Sequence, residues 1–177
     1  GYGYLAAGLR KGDGIVYVCS EETPKQIEDG MEAYGIDVEP NLRSGNIRIY
    51  RYDEWYIVDG VVHPYRIINK WNEALLRLRS SGLGLRVVGD ATCFFTHDKV
   101  RELLRYEYSL HKVLAMPMKA ICTFNLKTIV DKGYTDMIMP LVRAHGKAIF
   151  TAEGGSILLE PQDVEASDLE KLLDIEI

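Results

Sequence analysis

The chain has 177 residues and a mass of 20.0 kDa, the length of one domain, with 47% apolar and 27% charged residues, which excludes a disordered chain. Its 21 basic and 26 acidic residues leave a net charge of −5, which argues against a nucleic-acid partner. No apolar run reaches the roughly 18 residues of a membrane-spanning helix, no signal-peptide pattern opens the chain, and an odd count of three cysteines points to a reducing cytoplasm, not a disulfide framework.

Residues 1–12 read as the tail of a helix stopped by Gly12. No strand precedes it, so the expectation is one α/β domain over 1–177 that lacks its first strand and the start of its first helix. Ile15-Val-Tyr-Val-Cys19 is continuously apolar and β-branched, the pattern of a buried parallel strand. Thr23 is a good N-cap and Pro24 suits the first helical position, with Ile27, Met31 and Tyr34 on one stripe before Gly35. Residues 46–51 alternate like a strand, and 52–62 read as irregular with a turn at Asp59-Gly60. Ile67, Ile68, Trp71, Leu75 and Leu78 predict a helix from Pro64 to about Arg79. Leu85–Val88 is the next strand.

Thr96 is expected to cap a long helix to about Leu114, with Val100, Leu103, Leu104, Glu107, His111 and Leu114 on its stripe. Residues 118–124 read as a strand, and 127–132 and 134–145 as helices. Strands at 147–151 and 156–159 flank a turn at Glu153-Gly-Gly155, and residues 168–174 close the chain as a helix. Strands alternating with helices define a mainly parallel sheet covered on both faces, with the last strand pair as an antiparallel edge.

Ligands of an open parallel sheet bind outside the carboxyl ends of its strands. Those ends carry Cys19, Ser20, Glu21 and Glu22, then Gly89, Asp90, Thr92 and Cys93, then Cys122, Thr123 and Asn125. The three cysteines read either as small buried hydrophobes or as a metal or redox site, though no Cys-x-x-Cys spacing supports the second. Glu21 and Glu22 read either as helix first-turn acids or as a general base. Asp90 reads either as a cap or as a magnesium-holding acid beside a phosphate loop. Glu107, on an apolar stripe, must be paired, hydrogen-bonded or protonated. His63, His97, His111 and His145 show no ligand spacing, and His145 suits a helix C-terminus. The aromatic segment 50–63 reads either as a lid or interface, or as a plug at the core's edge. With Phe94, Phe95 and Phe124 near strand ends, it makes an apolar small-molecule pocket plausible.

The stretches Gly8-Leu-Arg-Lys-Gly-Asp-Gly-Ile-Val-Tyr-Val-Cys-Ser-Glu-Glu-Thr-Pro24, Tyr34-Gly-Ile-Asp-Val38 and Ser44-Gly-Asn-Ile-Arg-Ile49 resemble RecA-like ATPases of the KaiC type. Gly84-Leu-Arg-Val-Val-Gly-Asp90, Leu104-Arg-Tyr-Glu107, Ala120-Ile-Cys-Thr-Phe-Asn125 and Arg143-Ala-His-Gly146 make the whole chain resemble more closely a relative without ATPase function. That relative is the methanogen/methylotroph DcmR-type sensory (MEDS) family, and the resemblance spans about residues 5–160. Two positions depart from it: Asp90 stands where that family tends to carry Glu, and Phe124-Asn125 replaces Tyr-Asp.

The resemblance implies a sensory module on a degenerate RecA/KaiC-like sheet, active in signal transduction or transcriptional regulation. It would need no cofactor and bind a small molecule at the carboxyl rim through Cys19, Glu21, Asp90, Cys93, Phe94, Glu107 and Phe124. Its partners would be that ligand, an output domain or regulatory protein, and at base rate a second copy as a homodimer, with no nucleic acid or membrane. The first alternative is a KaiC-like ATPase using ATP and magnesium, with Glu21 or Glu22 as base and Asp90 on the metal. Its phosphate loop would lie upstream of Gly1, because residues 1–177 contain no Gly-x-x-x-x-Gly-Lys-Ser/Thr sequence. A second alternative is a metal or redox sensor built on Cys19, Cys93 and Cys122, and a third is an assembly subunit with an exposed aromatic face.

Overall fold

A computed structural model of the protein describes residues 1–113, 117–152 and 155–160. The chain divides into two compact units, Gly1–Asn125 and Leu126–Ile177.

The first unit is built on a four-stranded, all-parallel sheet in the order β2 (Ile47–Arg51), β1 (Asp13–Cys19), β5 (Gly84–Asp90) and β6 (Met118–Thr123). Helix α1 (Tyr2–Arg10) ends before Gly12, which sits at φ 78°, and strand β1 (Asp13–Cys19) follows, buried at all seven positions. Burial on both faces is why this central strand reads as an unbroken apolar run. Its odd-numbered residues Ile15, Tyr17 and Cys19 pack with Leu5 of α1, Ile27 and Met31 of α2 (Pro24–Ala33), Val38 of α3 (Val38–Ser44) and Ile47 of β2 (Ile47–Arg51). Facing the other side, Gly14 lies so close to Leu78 of α5 (Pro64–Ser80) that a Cβ would collide with it.

Helix α2 starts where expected. Thr23 Oγ1 accepts from the Gln26 amide at 3.3 Å, and Gln26 Oε1 accepts from the Thr23 amide at 2.8 Å, a reciprocal capping box. Thr23→Ala should cost about 1 kcal/mol in chemical denaturation. The stripe of α5 is also as expected: Ile67, Ile68, Trp71, Leu75 and Leu78 are all buried, with Ala74 added.

Several expectations need correction. Residues 38–44 form α3, which the pattern missed because only Val38 of its seven residues is buried. The segment 52–62 is ordered: α4 (Tyr52–Trp55) leads into a hairpin, β3 (Ile57–Val58) with β4 (Val61–Val62), turning through Asp59 at φ 54° and Gly60 at φ 74°. Two consecutive left-handed residues are what a tight hairpin demands, and Asp-Gly supplies them. Trp55, Tyr56 and Ile57 are buried, so the middle of this aromatic segment belongs to the core, while Tyr50 and Tyr52 are half-buried.

After β5 (Gly84–Asp90), the chain makes a short helix, α6 (Cys93–Thr96), and turns through Asp98 at φ 54° before α7 (Val100–Val113). Thr96 therefore ends α6, its Oγ1 donating to Cys93 O at 3.1 Å, and does not cap α7. On α7 the buried stripe is Val100, Leu103, Tyr106, Glu107 and Leu110, whereas Leu104 is exposed. The expected contributions of Leu114 and of the His111 side chain lie outside the described residues. Strand β6 (Met118–Thr123) completes the sheet.

In the second unit, α8 (Leu126–Asp131), a 3₁₀ turn at Thr135–Met137 and α9 (Ile138–Ala144) precede β7 (Ala148–Ala152) and β8 (Gly155–Leu159). The last two strands are antiparallel, as expected, and form a two-stranded sheet of their own. His145 follows α9, and its Nδ1 is 2.8 Å from Leu141 O. The helix expected at 168–174 lies outside the described residues.

Candidate functional site

The carboxyl ends of β1, β5 and β6 meet. Asp90, the last residue of β5, accepts three backbone N–H groups: Ser20 at 3.3 Å and Glu21 at 3.4 Å on Oδ2, and Thr92 at 3.0 Å on Oδ1. Ser20 Oγ donates to Asp90 O at 2.5 Å and accepts from the Cys93 amide at 3.4 Å. Thr92 Oγ1 accepts from the Asn125 amide at 3.0 Å, and Asn125 Nδ2 donates to Glu21 Oε2 at 2.7 Å. The network is therefore continuous from the tip of β1, through β5, to the residues after β6. It forms because parallel strands in register bring their last residues to one edge: Val18 lies beside Gly89, and Asp90 beside Thr123.

These bonds assign Asp90 a structural role at its present position. A carboxylate oxygen that accepts N–H bonds directs lone pairs at the backbone, and here three are so used. Glu21 is exposed and engaged by Asn125, and Glu22 is exposed. Of the expected ligand residues, Glu21, Asp90 and Cys93 are thus joined directly or through Ser20, whereas Cys19 stays outside the network. Phe124 is half-buried and meets the ring of Phe95 edge-on at 6.3 Å and 83°.

Phe94 and Glu107 sit deeper. Phe94 is fully buried, stacked on Tyr106 at 6.4 Å and 9° and tilted against Tyr56 at 5.4 Å. Glu107 is 2% exposed on α7, close enough for its charge to act on Tyr56, Tyr106 and Cys122. Burial first, and neighbouring ionisable groups second, push both tyrosine hydroxyls well above their ordinary range. Tyr106 also accepts from Trp71 Nε1 at 2.9 Å.

The three cysteines occupy different surroundings. Cys19 Sγ donates to Tyr50 O at 3.3 Å, and burial pushes its thiol up to about 11. Burial pushes Cys93 up to about 12, and Cys122 is raised by burial and by Glu107. All three are free thiols whose reactive thiolate form is disfavoured at neutral pH, the opposite of a poised redox cysteine. Among the described residues, Cys19, Cys93 and Cys122 do not form a cluster at metal-ligand spacing.

Two concavities open elsewhere on this unit. One, of about 470 Å³, lies near the amino end of the sheet and is bordered by Leu9, Asp13, Ile36, Asn41 and Leu83. The other, of about 380 Å³, lies beside the edge strand β2 and is lined by Tyr50, Glu54, Trp55, Lys70, Glu73, Ala74 and Arg77. The sequence pointed to neither. The second is assembled from residues 50–77, and its only sequence trace is the aromatic run from Tyr50.

The fold defined here, a parallel sheet with helices on both faces, is that of KaiC-like proteins. The KaiC-like protein PH0186 of Pyrococcus horikoshii matches with a TM-score of 0.53 at 16% identity, over 89% of this chain and 69% of that one. An uncharacterised protein of the same organism, PH0321, solved in complex with an unknown peptide, matches with a TM-score of 0.55 at 12% identity, over 88% of this chain and 74% of that one. At such identities the likeness concerns the fold alone. No curated protein matches the sequence. Residues 2–145 match the profile of MEDS, the methanogen/methylotroph DcmR sensory domain. The chain belongs to this family and is a sensory domain. None of the helices in its described residues is long and apolar enough to cross a membrane.

Proposed function

We propose that this sensory domain recognises a small molecule at the carboxyl rim of its sheet and relays the event to an output domain or regulatory protein. The observation that carries the reading is the single hydrogen-bonded network joining Ser20, Glu21, Asp90, Thr92, Cys93 and Asn125 across three strand ends. A ligand that engages Glu21 or Asn125 competes with their mutual bond, and the disturbance reaches Asp90 and two neighbouring strands without a long path.

The exposed part of the rim sets the ligand class. Glu21 offers a carboxylate, Asn125 an amide, and Phe124 an apolar ring face. This suits a small organic molecule with an apolar body and one donor group. Cys19, Cys93, Phe94 and Glu107 are buried, so they support the rim from within and do not meet the ligand.

A thermal-shift and calorimetric screen of small alcohols, amines and thiols tests the reading. At least one class should stabilise the wild-type protein. The effect should weaken in Glu21→Gln and Phe124→Ala, and Asp90→Asn should lower stability and blunt the response, because an amide cannot accept on both of its heavy atoms. A flat response to every compound, together with robust ATP hydrolysis, would overturn it in favour of the ATPase alternative.

A further inference from the structure

The rim network ends on the first residues of α6. Asp90 Oδ1 accepts from the Thr92 amide at 3.0 Å, and Ser20 Oγ accepts from the Cys93 amide at 3.4 Å. The next residue is Phe94, fully buried. Helix α6 is bonded within itself, Thr96 N donating to Thr92 O at 3.2 Å and His97 N to Cys93 O at 3.0 Å. This single turn is therefore a stiff unit, and a shift of its start carries Phe94 along. The tip of β5 makes a second inward contact. The Tyr56 hydroxyl lies so close to Gly89, the residue before Asp90, that a Cβ there would collide with it.

Phe94, Tyr56 and Tyr106 pack on one another as a buried triad. Ring centres are 5.4 Å apart between Phe94 and Tyr56, 5.9 Å between Tyr56 and Tyr106, and 6.4 Å between Phe94 and Tyr106. The Tyr106 hydroxyl, from α7, accepts from Trp71 Nε1 of α5 at 2.9 Å. Beyond that bond the Trp71 and Trp55 rings are 4.5 Å apart. A continuous line of contacts thus joins the rim to both α5 and α7. A close-packed interior does not absorb a displacement by compression, so a contact must give way or its neighbours must move. The Trp71–Tyr106 hydrogen bond is the directional member of the line, and it has two discrete arrangements, made and broken.

We propose that an event at the rim passes through Phe94 and Tyr56 to Tyr106, and so to α5 and α7, with the Trp71–Tyr106 hydrogen bond as the element that changes. This rests on the reading of the rim as the place of sensing and names the route by which its signal leaves.

Double-mutant cycles on the full chain, read by chemical denaturation, test this. Tyr106→Phe keeps the ring and removes only the acceptor. With Asp90→Asn it should give an unfolding constant at least about fivefold away from the product of the two single effects. Asp90→Asn with Ile47→Val, a buried deletion outside the line, should stay within about twofold of that product. Ser20→Ala is the milder rim change, and its cycle with Tyr106→Phe decides the matter where the first double variant does not fold. Tryptophan emission is the second readout, because both tryptophans of the chain, Trp55 and Trp71, lie in the line. Ser20→Ala and Asp90→Asn should each shift the emission of the folded protein, and the shift should vanish in the Tyr106→Phe background. Additivity within about twofold in the Tyr106 cycles, equal coupling in the Ile47 control, or emission unmoved by the rim substitutions overturns the proposal. Additive cycles alongside ligand binding at the rim reject the relay alone, whereas coupled cycles without any ligand binding reject the rim reading alone.

Discussion

Arg86→Met should be the most damaging single substitution in the sheet, costing about 3–5 kcal/mol by chemical denaturation. Arg86 and Asp13 are 6% and 7% exposed and make a two-pronged contact, with Nε and Nη2 at 3.0 and 2.8 Å from Asp13 Oδ2. Arg86 Nη1 also donates to Tyr4 O at 2.8 Å, and the guanidinium lies 4.4 Å from the centre of the Tyr4 ring. Gly8 has no room for a Cβ against Arg86, so α1 is fitted to this one side chain. Removing it strands a buried carboxylate with a single remaining cation, Lys119 at 3.1 Å. Replacing both buried partners by apolar residues, as in Asp13→Val with Arg86→Met, should recover at least about half of the loss, since the greatest cost is the unpaired charge.

The same pair has a pH signature. Burial alone would raise the Asp13 carboxyl, but the hydrogen bonds from Arg86 and Lys119 outweigh it and hold the group below its ordinary value. A carboxyl depressed in the folded state contributes stability that is fully present above its unfolded value. That contribution is lost as the pH falls through the folded value. The wild-type protein should therefore lose stability on the acid side of the ordinary carboxylate range. In Arg86→Met that acid-side loss should shrink, as seen in denaturation midpoints taken across pH.

Phe94→Ala should cost about 3–5 kcal/mol, because a fully buried ring would leave a cavity between Tyr56 and Tyr106. This result bears on the site. If Phe94 lined an open ligand pocket, truncation would change stability by less than about 1 kcal/mol and mainly alter binding. A large loss identifies it as a core residue supporting the rim, and leaves Phe124 as the aromatic group of the proposed site.

The sheet was legible in the sequence wherever burial was two-sided. Strand β1 and the α5 stripe are dense apolar signals with no competing interpretation. Helix α3 was not legible, since one buried residue in seven gives no period. The break between α6 and α7 was hidden because it depends on Asp98 adopting a left-handed conformation, which the residue type permits but does not announce. Tyr106 was overlooked in favour of Leu104, because a tyrosine scores as half polar until its hydroxyl finds Trp71. At the rim, parallel topology alone predicts which residues converge. It does not reveal that the small hydroxyls of Ser20 and Thr92 connect them, nor that Asp90 faces backbone amides. The β2 cavity was invisible because it depends on the spacing between an edge strand and a helix, a distance no local pattern encodes.

The two ends of the four-stranded sheet differ in how firmly they are tied. At the amino end, a buried ion pair locks β1 to β5 and to the first helix, whereas the carboxyl tips are joined by uncharged or singly charged hydrogen bonds that lie partly at the surface. The strand ladder itself runs to both margins, from Asp13 beside Gly84 to Val18 beside Gly89, so the two margins differ in how they are sealed: one by a charge pair among apolar side chains, the other by polar groups that reach solvent. On the function proposed above, a ligand would compete only with bonds at the solvent-facing margin, leaving the sealed pair and the first helix as they are.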